Sequence, residues 1–102
     1  MNSTQVEPQE PLTQKKLTLY HATTPKKVKL YHQSRRIIKP VRGFTTLQAA
    51  LAWACKVNRT IILRIEGQDC HKLPDHHNSW GEAWWVDHDV CEWKCVFSPK
   101  DA

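Results

Sequence analysis

Gly43-Phe44-Thr45-Thr46-Leu47-Gln48-Ala49-Ala50-Leu51-Ala52-Trp53-Ala54 is a brief extended segment that runs straight into a helix. Leu47, Ala50, Leu51 and Ala54 recur at helical spacing and make one apolar stripe. Thr45 followed by Gln48 fits a capping box, and Asn58 supplies a stop. Thr60-Ile61-Ile62-Leu63-Arg64-Ile65 comes next. It is β-prone and nearly continuous in apolar character, which predicts a strand central in its sheet.

Upstream, Leu17 to Ala22 alternates as a strand does. Thr24-Pro25 then reads as a helix start, with Thr24 as N-cap and Pro25 in the first helical position. This short basic helix ends near Ser34. Val28 and Tyr31, three apart, share its buried side, while Lys26, Lys27 and Lys29 face water or phosphate. Arg35 to Arg42 holds a short Ile37-Ile38 strand or turn interrupted by Pro40. Downstream, Gly67 to Gly81 reads as a polar loop. Glu82 to Asp87 and Glu92 to Ser98 read as strands, with a turn around Asp87-His88-Asp89. The expected fold is α+β: small mixed or antiparallel sheets with two short helices, lacking the crossovers of a doubly wound sheet. No Gly-rich phosphate loop is present.

The 102 residues suffice for one small domain. Met1 to Lys16 is polar, with Pro8 and Pro11, and reads as a flexible tail; residues 17–102 form the domain. Four of the five tryptophans (Trp80, Trp84, Trp85, Trp93) fall in the last quarter and mark it as core or ligand cleft. Charge is divided unevenly. Residues 1–60 hold 11 Lys/Arg and 2 Asp/Glu, and residues 61–102 hold 4 and 8, so the halves carry +9 and −4. Such polarity fits a basic surface that meets phosphates, or a solvated face that aids solubility. No secretory signal opens the chain, and its longest apolar stretch, Ala49 to Cys55, is too short to span a bilayer. A cytoplasmic location with reduced thiols and no membrane partner is expected.

His21 closes the first strand, Phe44-Thr45-Thr46 ends the second, and Glu82 opens a late one. A donor histidine, a hydroxyl-rich strand end and a strand-borne carboxylate are the parts needed to hold a ribose and stabilise a cation at its anomeric carbon. Leu19-Tyr20-His21-Ala22-Thr23, Gly43 to Ala54, and Trp80-Gly81-Glu82-Ala83-Trp84-Trp85 resemble, in that order, the three motifs of the ADP-ribosyltransferase fold family. The likeness covers roughly residues 17–98.

The resemblance implies an ADP-ribosyltransferase-like core that binds NAD and transfers ADP-ribose to a protein or nucleic-acid acceptor. Glu82 would be the catalytic carboxylate. His21 would contact a ribose hydroxyl or the nicotinamide amide. Thr45 would hold the strand end or touch ribose. Ala22 and Thr23 belong to the first motif and join the NAD-binding set. Phe44 or Tyr31 would stack on the nicotinamide ring, and Arg42 or Lys39 would meet the pyrophosphate or a nucleic-acid acceptor. Trp80 stands where members that modify arginine often carry an acid, which disfavours arginine as acceptor. The loop before the glutamate would select the acceptor through Asp75, His76, His77 and Asn78. Each side chain also has a plainer use: His21 as a half-buried strand residue, Thr45 as a helix cap, Glu82 as an edge charge, and Tyr31 and Phe44 as core.

Two other readings compete. Lys26, Lys27, Lys29, Arg35, Arg36, Lys39 and Arg42 cluster within residues 26–42 and would suit a non-catalytic nucleic-acid-binding module. Cys70-His71, His76-His77 and His88-x-x-Cys91-x-x-x-Cys95 contain zinc-type ligands for a small zinc-stapled domain, although the spacing fits no standard knuckle. Cys55, on a helix face, reads as a packing residue.

Overall fold

A computed structural model describes residues 15–99, so most of the expected tail lies outside the described residues. The elements are β1 (Lys15–Thr23), α1 (Pro25–Ser34), β2 (Val41–Phe44), α2 (Leu47–Lys56), β3 (Ile61–Asn78), β4 (Gly81–Val86) and β5 (Lys94–Phe97). Their order gives an α+β domain with two helices and one five-stranded sheet. Every strand pairing is antiparallel, so no mixed sheet forms among the described residues.

The sheet runs β1-β2-β4-β3-β5, and β1 also pairs with β3. Four strands therefore close a ring of pairings. β3 is the spine. Arg64 pairs with both Tyr20 of β1 and Lys94 of β5, and Cys70 pairs with both Lys15 of β1 and Val86 of β4. An antiparallel strand has two edges, so β1 occupies one, and β5 followed by β4 occupies the other. Only Tyr20 with Phe44 joins β1 to β2. At this narrow meeting a Cβ on Gly43 would lie 2.9 Å from Leu19 Cβ and 3.1 Å from the Tyr20 carbonyl oxygen. Glycine is what lets the two backbones approach.

Alternation divides the core. Leu19, Leu63 and Ile65 bury into one cluster with Val41, Val86 and Ile37, against which Val28 and Tyr31 of α1 pack. Ala22 and Ile62 point the other way, onto Ala50 and Ala54 of α2. Both faces of the Ile61–Ile65 run are covered, which explains its continuous apolar character. Burying a side chain such as Leu19, Leu63 or Ile65 stabilises the fold by about 1.5–3 kcal/mol each.

Several sequence expectations need correction. β1 begins at Lys15, inside the expected tail. Ile37 makes only an isolated bridge to Val90, and the strand of that region is Val41–Phe44, after Pro40. The last strand is Lys94–Phe97, shorter than Glu92–Ser98. The polar loop Gly67–Gly81 is largely β3, whose outer half is hydrophilic because most of its side chains face water. Loop character survives in one place. Lys72 pairs with Trp84 and His77 with Glu82, leaving Leu73 to His76 opposite Ala83 alone. Pro74 has no amide to donate to a ladder, and Asp75 takes a left-handed φ of 59°. The strand is forced to bulge there.

Candidate functional site

His21 sits two residues before the end of β1, where β1 and β2 have parted. Its Nδ1 lies 2.6 Å from the Arg42 carbonyl oxygen, and its Nε2 lies 3.1 Å from the Tyr31 hydroxyl. A carbonyl can only accept, so Nδ1 carries the proton. Burial pushes the His21 pKa below the ordinary 6.5, and the nearby charges of Arg59 and Lys27 push the same way. The Arg42 hydrogen bond offsets this only in part. The ring is therefore neutral at pH 7, and Nε2 accepts from Tyr31. The Thr23 hydroxyl, 3.2 Å from Tyr31 Oη, is placed to donate in turn. The chain runs Thr23 to Tyr31 to His21 to the Arg42 carbonyl, and it uses both ring nitrogens of His21. Tyr31, carried by α1, was named from sequence as an aromatic shelf. Its hydroxyl role required knowing how α1 lies over β1.

Thr45 and Glu82 form a second unit. Thr45 N–H donates to the Glu82 carbonyl at 3.0 Å, and Glu82 N–H donates to Thr45 Oγ1 at 3.1 Å. The helix cap is Thr46, which accepts from Ala49 N–H at 3.0 Å and donates to the Trp80 carbonyl at 2.7 Å. This corrects the expected Thr45–Gln48 capping box. The cap lies one residue later because Thr45 is still engaged with β4. Glu82 is exposed, and its Oε1 accepts from Trp84 Nε1 at 3.3 Å. Gly81 fits against the start of α2: a Cβ there would lie 2.9 Å from Thr45 Oγ1 and 3.0 Å from Ala49 Cβ.

A cleft of about 1160 Å³ opens between α1, β2, α2 and the β3–β4 hairpin. His21, Ala22, Tyr31, Arg42 and Phe44 line it, so five of the expected contact residues share one hollow. Thr23 is fully buried and reaches the site through Tyr31. Asp75, His76, His77 and Asn78 also line the cleft. Thr45 and Glu82 do not line the wall. Glu82 adjoins the lining through its chain neighbour Ala83 and its cross-strand partner His77, and its carboxylate turns to Trp84. Lys39 points elsewhere, its Nζ lying 3.8 Å from Asp87 Oδ1.

The lining is strongly basic. Lys27, Arg36, Arg42, Lys56 and Arg59 face Asp75 as the one carboxylate. Arg36 is held by Asp89 at 3.2 Å. That contact and the Lys39 amide keep the Asp89 carboxyl below its usual pKa, with the amide contributing more. Arg59 donates to the Ala22 carbonyl at 3.1 Å and so is aimed along the end of β1. Lys56 and Arg59 lie outside the basic run 26–42, and only the fold brings them to it.

The cysteine–histidine constellation is not assembled. Among the described residues, the one group with metal-ligand proximity is Asp69, His71 and Asp87, which contains no cysteine. Cys70 is buried, and burial raises its pKa, so it is a neutral packing thiol. Cys55 is exposed on α2 and lines the cleft, which corrects its reading as a packing residue. No described helix is long and apolar enough to cross a membrane. No protein-family model, curated protein or solved structure matches the chain.

Proposed function

We propose that the cleft binds NAD and that the protein transfers ADP-ribose to a macromolecular acceptor. The observation that carries this reading is the cleft lining, which sets cations suited to a pyrophosphate beside flat aromatic faces suited to ring systems. NAD as substrate supplies a ribose C1′ whose bond to nicotinamide breaks, the ring keeping the electron pair, while an acceptor oxygen or nitrogen bonds C1′ and loses its proton to solvent.

The chain's own groups divide this work. Glu82 stabilises positive charge developing on the sugar, with its carboxylate oriented by Trp84. Thr45 fixes the backbone of Glu82. Arg42 and Arg59 neutralise phosphate. His21, already committed on both nitrogens, holds the Tyr31 hydroxyl by its proton and leaves its oxygen to accept from a ribose or amide group. Phe44 offers a ring face. The test is incubation of the pure protein with labelled NAD and mixed acceptors. Nicotinamide release or label transfer is expected, and Glu82→Gln should reduce it by about 100- to 1,000-fold. Activity unchanged in that variant overturns the role of Glu82, and no turnover with any acceptor overturns the reaction.

A second reading, a non-catalytic nucleic-acid-binding module, draws on the same basic lining. Tight salt-sensitive binding with no response to NAD would favour it.

A further inference from the structure

We propose that the cleft takes single-stranded nucleic acid, as the acceptor in the transfer reaction above. This names the acceptor on the footing of that reading, but the binding it requires is measurable without NAD.

Exposed apolar side chains carry the argument. Among the described residues five large hydrophobic side chains are exposed, and four of them line this cleft: Leu30 (54%), Ile38 (68%), Trp53 (41%) and Trp80 (57%). Scattered singly they would mean little, but gathered around one concavity they mark a contact surface. Two are indoles on opposite elements, Trp53 on α2 and Trp80 at the β3–β4 turn. Phe44 lies beside Trp53, with ring centroids 6.3 Å apart. Bare aromatic faces set among cations are what a strand with unpaired bases requires: bases stack on the rings while the groove tracks the phosphates. Duplex bases are already stacked and would leave these faces unused.

Charge narrows the occupant further. Lys27, Arg42, Lys56 and Arg59 have no carboxylate partner among the described residues. They lie on α1, on β2 and around the end of α2, so the positive potential follows the length of the cleft. Size agrees. The cleft of about 1160 Å³ lies at the upper end of ligand-pocket sizes, about 300–1,000 Å³, so it has room for more than one base. Position agrees as well: Trp80 closes the turn that leads into Glu82.

The experiment titrates a labelled, mixed-sequence single strand of ~12 nucleotides, within known site sizes, into the full chain without NAD. Quenching of tryptophan emission is expected. Four neutralised phosphates predict that Kd rises about 50-fold between 50 and 200 mM salt. Replacing Trp53 and Trp80 by alanine should raise Kd at least about fivefold for each ring, with the circular dichroism unchanged. Should that variant misfold, Lys27→Gln with Lys56→Gln should lower the salt slope by about 1.4. A duplex of the same sequence should bind more weakly.

No binding at 50 mM salt, equal affinity for duplex, or a Kd indifferent to the folded variants overturns the proposal. Label transfer to protein acceptors with no oligonucleotide binding overturns it as well, and leaves the NAD reading standing. Oligonucleotide binding without NAD turnover keeps the strand as the cleft's occupant and overturns both the NAD reading and the acceptor role.

Discussion

The Nε2 of His21 lies 3.1 Å from the Tyr31 hydroxyl, and that contact joins the first strand to the helix that follows it. Both groups face the cleft. The pair is one hydrogen-bonded unit, both side chains half-buried, with the Arg42 carbonyl as its anchor.

Burial of the imidazole in that pair sets a pH response. The His21 pKa is lowered in the folded chain, so between 6.5 and the folded value the unfolded chain binds a proton that the folded chain does not. The contribution of His21 to stability is therefore present in full above 6.5 and is lost as pH drops below it. Urea denaturation across pH 4–8 should show this loss, and His21→Gln should flatten it. An NMR titration of His21 with a midpoint at or above 6.5 would contradict the assignment.

Thr45 and Thr46 are adjacent but do different work. Thr46→Ala removes the cap of α2 and should cost about 1 kcal/mol of stability, read as a lower denaturation midpoint. Thr45→Ala frees the Glu82 backbone amide and should lower NAD turnover more than Thr46→Ala does. Thr45→Ser, which keeps the hydroxyl, should restore it. Equal effects of the two alanine variants on turnover would remove the distinction.

Gly81 seats the start of β4 against α2. A methyl group there meets Thr45 Oγ1, Ala49 Cβ and Thr46 Oγ1 at 2.9–3.0 Å. Gly81→Ala should destabilise the fold by about 1–3 kcal/mol and displace Glu82 from Thr45. Chemical denaturation and the backbone amide shift of Glu82 read the two effects separately.

Both helices were legible because their signals are local. Thr24-Pro25 starts α1, and the Leu47, Ala50, Leu51 and Ala54 stripe defines α2. The Ile61–Ile65 strand was legible for the same reason. The outer half of β3 was not, because Gln68 to His77 lacks an apolar alternation: Cys70 alone is fully buried there, and Pro74 interrupts the pattern. Strand formation there is driven by pairing with β4 rather than by burial, and pairing leaves no local mark. The cap was misplaced by one residue because two threonines stand together and only the tertiary bond of Thr45 to Glu82 separates them. His21, Arg42 and Phe44 were named from sequence, but Lys56, Arg59 and Trp53 were not. Their relevance comes from where α2 docks, and no spacing rule reports that.

One ribbon, β3, carries the His21 strand on one edge and the Glu82 strand on the other. Its irregular stretch, Leu73 to His76, falls between the two attachments to β4 and overhangs the cleft. Imidazole and carboxylate are thus tied twice, through β3 on one side and through β2 on the other, and whatever settles against that overhang bears on the strand paired with Glu82.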